Sequence, residues 1–442
     1  MHHHSITFRI APGGTLRGEA RVPGDKSISH RSIMLGALAE GTTRVAGFLE
    51  AEDCLATLKA FRAMGVRIEG PEAGRVSIQG VGLNGLEAPR QALYLGNSGT
   101  SMRLLAGLLA GQPFATELTG DPSLSRRPMK RVTEPLRAMG AVIATTEAGT
   151  APLRIEGGAR LRGIHYDIPV ASAQVKSCLL LAGLYAEGET SVREPAPTRD
   201  HTERLLAGFS YPVRRAGDTV TISPGGTLVA RDIDVPGDIS SAAFFLVGAA
   251  IAEGAELTLR HVGINPTRTG VIDILRLMGA TIDILDPREA GGEPVADLRV
   301  RSSRLRGIEI PEALVPLAID EFPALFVAAA CAEGETRLSG AAELRVKESD
   351  RIQVMAEGLQ ALGIDAQPTP DGMLVRGGRL TGGKVKSHGD HRIAMAFSIA
   401  ALRAADTIEI DNCANVNTSF PNFVELAGGL GLPIMAVDGE SP

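Results

Sequence analysis

The sequence predicts an α/β protein of two domains, with helices inside and sheets outside, assembled from six copies of one module. Three observations carry this expectation. A short frame, V-P-G-D, occurs twice, in VPGDKSISHR (22–31) and VPGDISSAAF (235–244). Each copy leads into the same succession of apolar helix, A-E-G stop, strand, amphipathic helix, M-G stop and strand. The first helix of each succession is apolar nearly all round, as in AAFFLVGAAIA, which marks a helix buried on every side. Buried helices with strands about them invert the usual layering of α/β folds.

The N-terminal stretch ITFRIAP reads as a strand that needs a partner elsewhere. The first module then runs through SIMLGALAEGTTRVAGFL and EDCLATLKAFRAMGVRI. Weaker copies come next at SMRLLAGLLAGQPFATELTG with VTEPLRAMGAVI, and at SAQVKSCLLLAGLYAEGETSV with HTERLLAGFSYPV. The fourth copy opens at 235, with FLVGAAIAEGAELTLRHV and RTGVIDILRLMGATIDI. The fifth is EFPALFVAAACAEGETRLSG with RIQVMAEGLQALGI, and the sixth HRIAMAFSIAALRAADTIEI with FVELAGGLGLPI. The apolar helices end near Gly41, Gly111, Gly188, Gly254, Gly334 and Asp406, the amphipathic ones near Gly65, Gly140, Phe209, Gly279, Gly363 and Gly431. A glycine after each helical run is the expected left-handed cap. These stops recur about every 70 residues or more, longer than the roughly 20–50 of common solenoids. In the second helix Leu55, Leu58, Phe61 and Met64 form one stripe. Six modules divide three and three: an N-terminal domain over 20–234, and a C-terminal domain from 1–19 with 235–442.

Composition narrows the function. The chain has 442 residues, 44% hydrophobic, with 4% aromatic and no Trp, so its cores are aliphatic. A net charge of −6 argues against nucleic-acid binding, which needs a basic surface. No apolar run reaches the roughly 20 residues of a membrane span. Cys54, Cys178, Cys331 and Cys413 lie far apart without a C-x-x-C pair, as expected of a reduced, cytoplasmic protein. The start MHHHSITF lacks the features of a signal peptide. His2–His4 are set aside as native or tag-derived.

Polar residues gather at the starts of the buried helices. The first module offers Lys26, Ser27, His30 and Arg31; the second Asn97, Ser98, Gly99, Thr100 and Arg103; the third Ser172, Gln174 and Lys176. The fifth offers Asp320 and Glu321, and the sixth Asp390, His391 and Arg392. Helix starts present free N–H groups and the positive dipole end, so they attract anions. Further cations precede the amphipathic helices: Arg126, Arg127, Lys130, Arg131, Arg199, Lys347 and Arg351. Such a set in an acidic protein points to a small phosphorylated or carboxylated ligand. For Arg126, Lys130 and Arg131 a cap or solvated face is the preferred reading. Asp320 and Glu348 supply carboxylates among cations, able to act as bases, against the plainer readings of an N-cap and a surface ion pair. GRLTGGKV (378–385) resembles a phosphate loop, but Val385 stands where the hydroxyl for Mg²⁺ is required. HGDH (388–391) has no companion cluster for a metal.

At VPGDKSISHR, LGNSGTSMRL, GDPSLSRRPM, ASAQVKS, TRDH, IDEFPAL, LRVKESDR and GDHRIAM the sequence closely resembles the 5-enolpyruvylshikimate-3-phosphate synthase family, with the motifs in order from about residue 10 to 435. The resemblance implies two domains of three βαβαββ modules each, with the active site in the cleft between them. It implies transfer of the enolpyruvyl group of phosphoenolpyruvate to the 5-hydroxyl of shikimate 3-phosphate, with release of phosphate. No cofactor and no metal are implied, and a monomer is expected. By resemblance Lys26 contacts both substrates. Ser27, Arg31, Ser172, Ala173, Gln174, Arg199, Asp320 and Lys347 hold shikimate 3-phosphate. Gly99, Arg127, Gln174, Arg351 and Arg392 hold phosphoenolpyruvate. Asp320 is the candidate base for the hydroxyl, and Glu348 or Lys26 the donor to the methylene carbon.

Two positions depart from a large branch of that family. Leu104 follows Arg103 where proline is common, and Thr418 stands where a lysine precedes the late F-P pair. One cation toward phosphoenolpyruvate is therefore missing. Retention of Gly99 leads to an expectation of glyphosate sensitivity. The alternatives are a UDP-N-acetylglucosamine 1-carboxyvinyltransferase and a non-catalytic phosphometabolite-binding protein. Ser27 after Lys26, and SLSRRP without cysteine, stand against the first; the pair Asp320 and Glu348 stands against the second.

Overall fold

The computed structural model describes residues 6–438; His2–His4 lie outside them. Contacts divide the chain into two compact lobes. The N lobe comprises Gly24–Val235 with Ala290–Glu293; the C lobe comprises 6–23, Pro236–Glu289 and 294–438. The chain passes between lobes within both copies of V-P-G-D. The short stretch 290–293, which groups with the N lobe, has no counterpart among the sequence expectations.

Each lobe holds three buried helices. In the N lobe these are α1 (Lys26–Leu38), α3 (Gly99–Ala110) and α5 (Ala173–Gly183), alternating with α2 (Glu52–Ala63), α4 (Lys130–Ala138) and α6 (His201–Gly208). The C lobe has α7 (Ile239–Ile251), α9 (Phe322–Cys331) and α11 (His391–Ala400), alternating with α8 (Gly270–Leu277), α10 (Arg351–Ala361) and α12 (Phe423–Leu430). Every residue of α7 is buried, and so is every residue of α1 from Ile28 on. At about 1.5–3 kcal/mol for each large apolar side chain removed from water, these helices form the centre of each core. Among the described residues no helix is long and apolar enough to cross a membrane.

The sheets repeat one plan. In the N lobe β3 (Glu40–Ala46), β4 (Arg67–Glu72) and β5 (Arg75–Val81) are joined by β14 (Ile233–Asp234) in the order β14-β3-β5-β4. Next come β6 (Leu93–Tyr94), β7 (Thr116–Thr119), β8 (Ile143–Ala144) and β9 (Leu153–Ile155), ordered β6-β7-β9-β8. The third sheet has β10 (His165–Asp167), β11 (Thr190–Arg193), β12 (Val213–Ala216) and β13 (Thr219–Ile222), ordered β10-β11-β13-β12. The C lobe holds β16 (Thr281–Ala290), β17 (Glu293–Arg301), β15 (Glu256–Gly263) and β2 (Arg17–Ala20), in that order. It also holds β18 (Glu335–Leu338), β20 (Gly372–Arg376) and β19 (Asp365–Thr369), then β21 (Gly383–Lys386), β22 (Ile408–Asp411), β1 (Ile6–Ile10) and β23 (Ile434–Asp438).

In the sheets of β6, β10 and β21 the strand before the buried helix pairs in parallel with the strand after it, and the remaining pairs are antiparallel. The β18 sheet lacks a full leading strand; parallel bridges Arg306↔Glu333 and Glu309↔Arg337 replace it. The N-terminal strand β1 finds its partners in β22 and β23. The leading strands of the first and fourth modules are exchanged: β2 pairs with β15, and β14 with β3.

Proline and glycine in V-P-G-D end the strand, and the aspartate starts the helix. Asp25 accepts from Ile28 N at 2.9 Å and Asp238 from Ser240 N at 2.8 Å. A Cβ at Gly24 would lie 1.9 Å from Gly47 O, so only glycine fits there. One expectation is corrected. Glycines after the amphipathic helices do take the left-handed cap, as at Gly65 (φ 87°), with Ser210 (φ 64°) serving in the third module. After the apolar helices Gly41 (φ 105°), Gly188 (φ 87°), Gly254 (φ 65°) and Gly334 (φ 92°) are also left-handed, but they stand beyond the cap: α1 stops at Leu38, and Gly41 already lies in β3. The A-E-G run is a turn into the strand.

Candidate functional site

In the N lobe the starts of α1, α3 and α5 are tied together by hydrogen bonds. Arg31 Nε donates to Thr202 Oγ1 at 2.7 Å, Nη2 to Ser177 Oγ at 2.9 Å and Nη1 to Ser27 O at 2.9 Å. Burial pushes the Arg31 guanidinium down to about 10, and the nearby charge of Arg199 adds to that effect. Lys26 Nζ meets Asp53 Oδ2 at 2.9 Å. Arg103 Nη1 donates to Gln174 Oε1, whose amide donates to Thr100 Oγ1 at 3.0 Å. Arg127 Nη2 donates to Asn97 Oδ1.

Gly99 is the first residue of α3, capped by Ser98. A Cβ at Gly99 would lie 3.0 Å from Arg103 Nη1 and 3.0 Å from Arg127 Nη1. The absent side chain thus lets two guanidinium groups approach the helix start. Of the cations in SLSRRPMKR only Arg127 is buried; Arg126 and Lys130 are exposed and Arg131 half-buried. Ser172 caps α5 through Val175 N at 3.4 Å, and Ser172, Ala173 and Gln174 are half-buried on its first turn. Arg199 is half-buried just before α6. Lys176 turns inward, within 2.9 Å of Glu194 and 2.7 Å of Glu203, with no exposure. It belongs to the core of the lobe.

In the C lobe the centre is Arg351, 1% exposed in its side chain. Its Nε and Nη2 donate to Asp390 Oδ2 and Oδ1 at 2.8 and 3.2 Å. Its Nη2 also donates to Glu348 Oε2 at 2.6 Å, and Nη1 to Asp320 Oδ1 at 3.4 Å. Burial alone would weaken this cation; Asp390 and Glu348 outweigh it and hold the Arg351 pKa above its ordinary value. Lys347 Nζ lies 3.4 Å from Asp320 Oδ1, and Arg392 Nη1 donates to Asp320 O at 3.2 Å. Asp320 and Glu348 therefore meet Lys347, Arg351 and Arg392 within this lobe.

Neither plain reading of the carboxylates survives unchanged. Asp320 is not the N-cap of α9: that position is Glu321, and the Asp320 side chain faces Lys347 and Arg351. Glu348 does form an ion pair, but with a buried arginine.

The profile of the EPSP synthase (3-phosphoshikimate 1-carboxyvinyltransferase) family matches residues 10–426. The chain belongs to the EPSP synthase family. A 3-phosphoshikimate 1-carboxyvinyltransferase of Methylococcus capsulatus is 74% identical over 98% of this chain and 99% of that one. A protein of the same name from Alkalilimnicola ehrlichii is 70% identical over 98% of each. An EPSP synthase structure from Acinetobacter baumannii superimposes with a TM-score of 0.88 at 60% identity, covering 98% of this chain and all of that one. The protein is a transferase of the shikimate pathway, which serves aromatic amino-acid biosynthesis.

Within the family frame, the departure at 418 has a structural side. Thr418 is 3% exposed and its hydroxyl donates to Asn415 O at 2.7 Å, so it offers no polar group in place of the missing lysine. Leu104 is fully buried in α3. Asp53 was missed by sequence reasoning. Acidic residues in a first helical turn are ordinary, so E-D-C-L at the start of α2 carried no signal of a partner for Lys26. The chain of hydroxyls behind α3 was also missed. His30 Nδ1 lies 2.8 Å from Thr57 Oγ1, which lies 2.6 Å from Ser101 Oγ, and that hydroxyl donates to Ser98 Oγ at 2.6 Å.

Proposed function

We propose that this chain joins phosphoenolpyruvate to shikimate 3-phosphate by addition and elimination, and that both constellations serve this one reaction. The observation that carries the reading is the pair Asp320 and Glu348 gathered on buried Arg351 beside Lys347 and Arg392. Addition needs a base for the 5-hydroxyl proton and an acid for the methylene carbon. Elimination needs cations for the departing phosphate.

In this reading Asp320 takes the hydroxyl proton as oxygen attacks C2, while Glu348 or Lys26 delivers a proton to C3. The tetrahedral intermediate then loses phosphate from C2 and a proton from C3, which restores the double bond. Lys26, Gly99, Arg127, Gln174, Arg351 and Arg392 hold phosphoenolpyruvate. Lys26, Ser27, Arg31, Ser172, Ala173, Gln174, Arg199, Asp320 and Lys347 hold shikimate 3-phosphate. Fixing two anions that repel in water accounts for the number of cations, and positioning supplies part of the acceleration. The four cysteines are free thiols, in keeping with a cytoplasmic site of action. Exposed large apolar residues such as Tyr94, Leu277 and Met435 sit on separate elements, in keeping with a monomer.

The test is phosphate release from phosphoenolpyruvate with shikimate 3-phosphate, with UDP-N-acetylglucosamine, or with neither. Release with the first alone is expected; release with the second, or none at all, overturns the reading. Asp320→Ala is expected to abolish turnover and leave shikimate 3-phosphate binding largely intact. Near-normal turnover removes Asp320 as the base.

A further inference from the structure

Glu321 follows Asp320 in the chain, yet its side chain is held elsewhere. It is 2% exposed and makes no cap bond to α9. Glu321 Oε1 accepts a hydrogen bond from Ser240 Oγ at the start of α7. Ser240 Oγ in turn accepts from Arg268 Nη2 at 2.8 Å, and that nitrogen also donates to Asp238 Oδ1 at 3.1 Å. All four residues are buried and all lie in the C lobe. The reaction as proposed above uses none of them.

A carboxylate in such a place is costly: its other oxygen, Oε2, is buried with no hydrogen-bond partner among the described residues. A buried ionic network adds little stability over a well-packed apolar one. Location gives this one a use. The backbone at 320–321 is held on one side by Arg392 Nη1 on Asp320 O, and at its amide by Glu321 N on Ala318 O at 2.9 Å. The Glu321 side chain, drawn to Ser240, holds the other side. Asp320 is thereby turned toward Lys347 and Arg351.

We propose that Glu321 is a positioning residue for proton transfer at Asp320, anchored by Ser240 and Arg268. The proposal rests on Asp320 as the base. It also gives the second V-P-G-D copy a task. Ser240 occupies the place that Ser27 holds in the first copy, and it fixes the loop of the base instead of a substrate.

Steady-state kinetics of full-length Glu321→Ala, Glu321→Gln, Ser240→Ala and Asp320→Asn test this, with thermal melts and calorimetric shikimate 3-phosphate binding on each. Misplacing a reacting group by about 1 Å costs up to about 100-fold, so Glu321→Ala and Ser240→Ala are expected to lower kcat by about 10–100-fold. Both KM values and the shikimate 3-phosphate Kd should stay within about twofold. Glu321→Gln keeps the acceptor and should stay within about threefold of wild type. Ser240→Ala removes a single oxygen and carries the test if Glu321→Ala does not fold. Wild-type kcat in folded Glu321→Ala or Ser240→Ala, affinity lost in step with kcat, or Glu321→Gln as impaired as Glu321→Ala overturns the proposal. Full activity of Asp320→Asn overturns the base itself. An inactive Asp320→Asn beside a fully active Glu321→Ala overturns the positioning role alone.

Discussion

Asp390→Asn removes one charge from the centre of the C lobe and turns one of two accepting oxygens into an NH2 donor. Asp390 and Arg351 are 0% and 1% exposed in their side chains, and two hydrogen bonds join them. Asp390 also accepts from Ser349 Oγ at 2.9 Å and caps α11 through Arg392 N at 3.0 Å. Asparagine has the same size and its one oxygen can keep the cap, but its NH2 group cannot accept from Arg351 Nε or Ser349 Oγ as Oδ2 does, so what is lost is the charge opposing a buried guanidinium together with one acceptor. Breaking such a pair costs about 3–5 kcal/mol. Arg351 retains Glu348 and Asp320, which places Asp390→Asn at the lower end, about 3 kcal/mol. With a urea dependence of about 3 kcal/mol per molar, the C-lobe midpoint should fall by about 1 M, read by far-UV circular dichroism. A midpoint within about 0.3 M of wild type refutes the reasoning. The pH dependence has a definite sign. Burial would raise the Asp390 pKa, but the Arg351 charge outweighs burial and holds it below the usual value. The pair's contribution is therefore complete above about pH 4, where an unfolded aspartate is ionised, and is lost as pH falls through the folded pKa. The gap between wild type and Asp390→Asn should narrow below about pH 4.

Gly99→Ala introduces a methyl 3.0 Å from the Arg103 and Arg127 Nη1 atoms, whose flexible ends can yield by a few tenths of an ångström. It should fold normally and raise the KM for phosphoenolpyruvate about tenfold, the worth of one weakened charged hydrogen bond, with that for shikimate 3-phosphate unchanged; an unchanged phosphoenolpyruvate KM counts against the assignment. Arg127→Ala should likewise act on the KM for phosphoenolpyruvate, and equal effects on both substrates would contradict it. Burial, then the charges of Lys26 and Arg31, hold the His30 pKa well below 6.5. The neutral ring's contribution is present above about pH 6.5 and lost as pH falls below it, so wild type should lose more stability than His30→Gln between about pH 7.5 and 5.5, by up to about 1.4 kcal/mol per unit; parallel urea midpoints would count against this. Lys176→Met takes the buried cation from Glu194 and Glu203 and leaves them the part-exposed Arg215. It should destabilise the N lobe by about 3 kcal/mol; a loss below about 1 kcal/mol would show that the triad is dispensable.

The modules were legible because buried helices have a plain signature. AAFFLVGAAIA can only be apolar all round if every face is covered, and α7 is. Arg127 was set apart from Arg126, Lys130 and Arg131 within one basic run, and in the fold Arg127 is buried while Arg126 and Lys130 are exposed and Arg131 is half-buried. Lys176 shows the converse: a cation at the right place in its module, one turn into α5, faces inward to two glutamates, Glu194 just after β11 and Glu203 in α6. Asp53 was passed over, and Glu321 was named at its helix start without a role, because acids near helix starts are ordinary; what distinguishes these two is a partner from another helix.

The doubled V-P-G-D frame shows both the reach and the limit of local pattern. As a local signal it reads correctly: proline and glycine end a strand, and aspartate caps a buried helix. The surroundings of the two caps differ through pairings that no local pattern contains. Arg17–Ala20 pairs in register with Glu256–Leu259, and Ile233 and Asp234 with Val45 and Ala46, so each copy of the frame leads out of the lobe in which its strand lies. The two aspartates then cap equivalent helices in different lobes. Beside Asp25, Arg31 is held by the hydroxyls of Thr202 and Ser177, and Lys26 by the Asp53 carboxylate, so two cations stand at this helix start. Beside Asp238 stands Arg268, whose charge is taken up by Asp238 and, through Ser240, by Glu321. One frame thus yields a helix start suited to anions in the N lobe and a sealed one in the C lobe, and the sealed one stands behind the carboxylate to which the proposed reaction assigns its first proton.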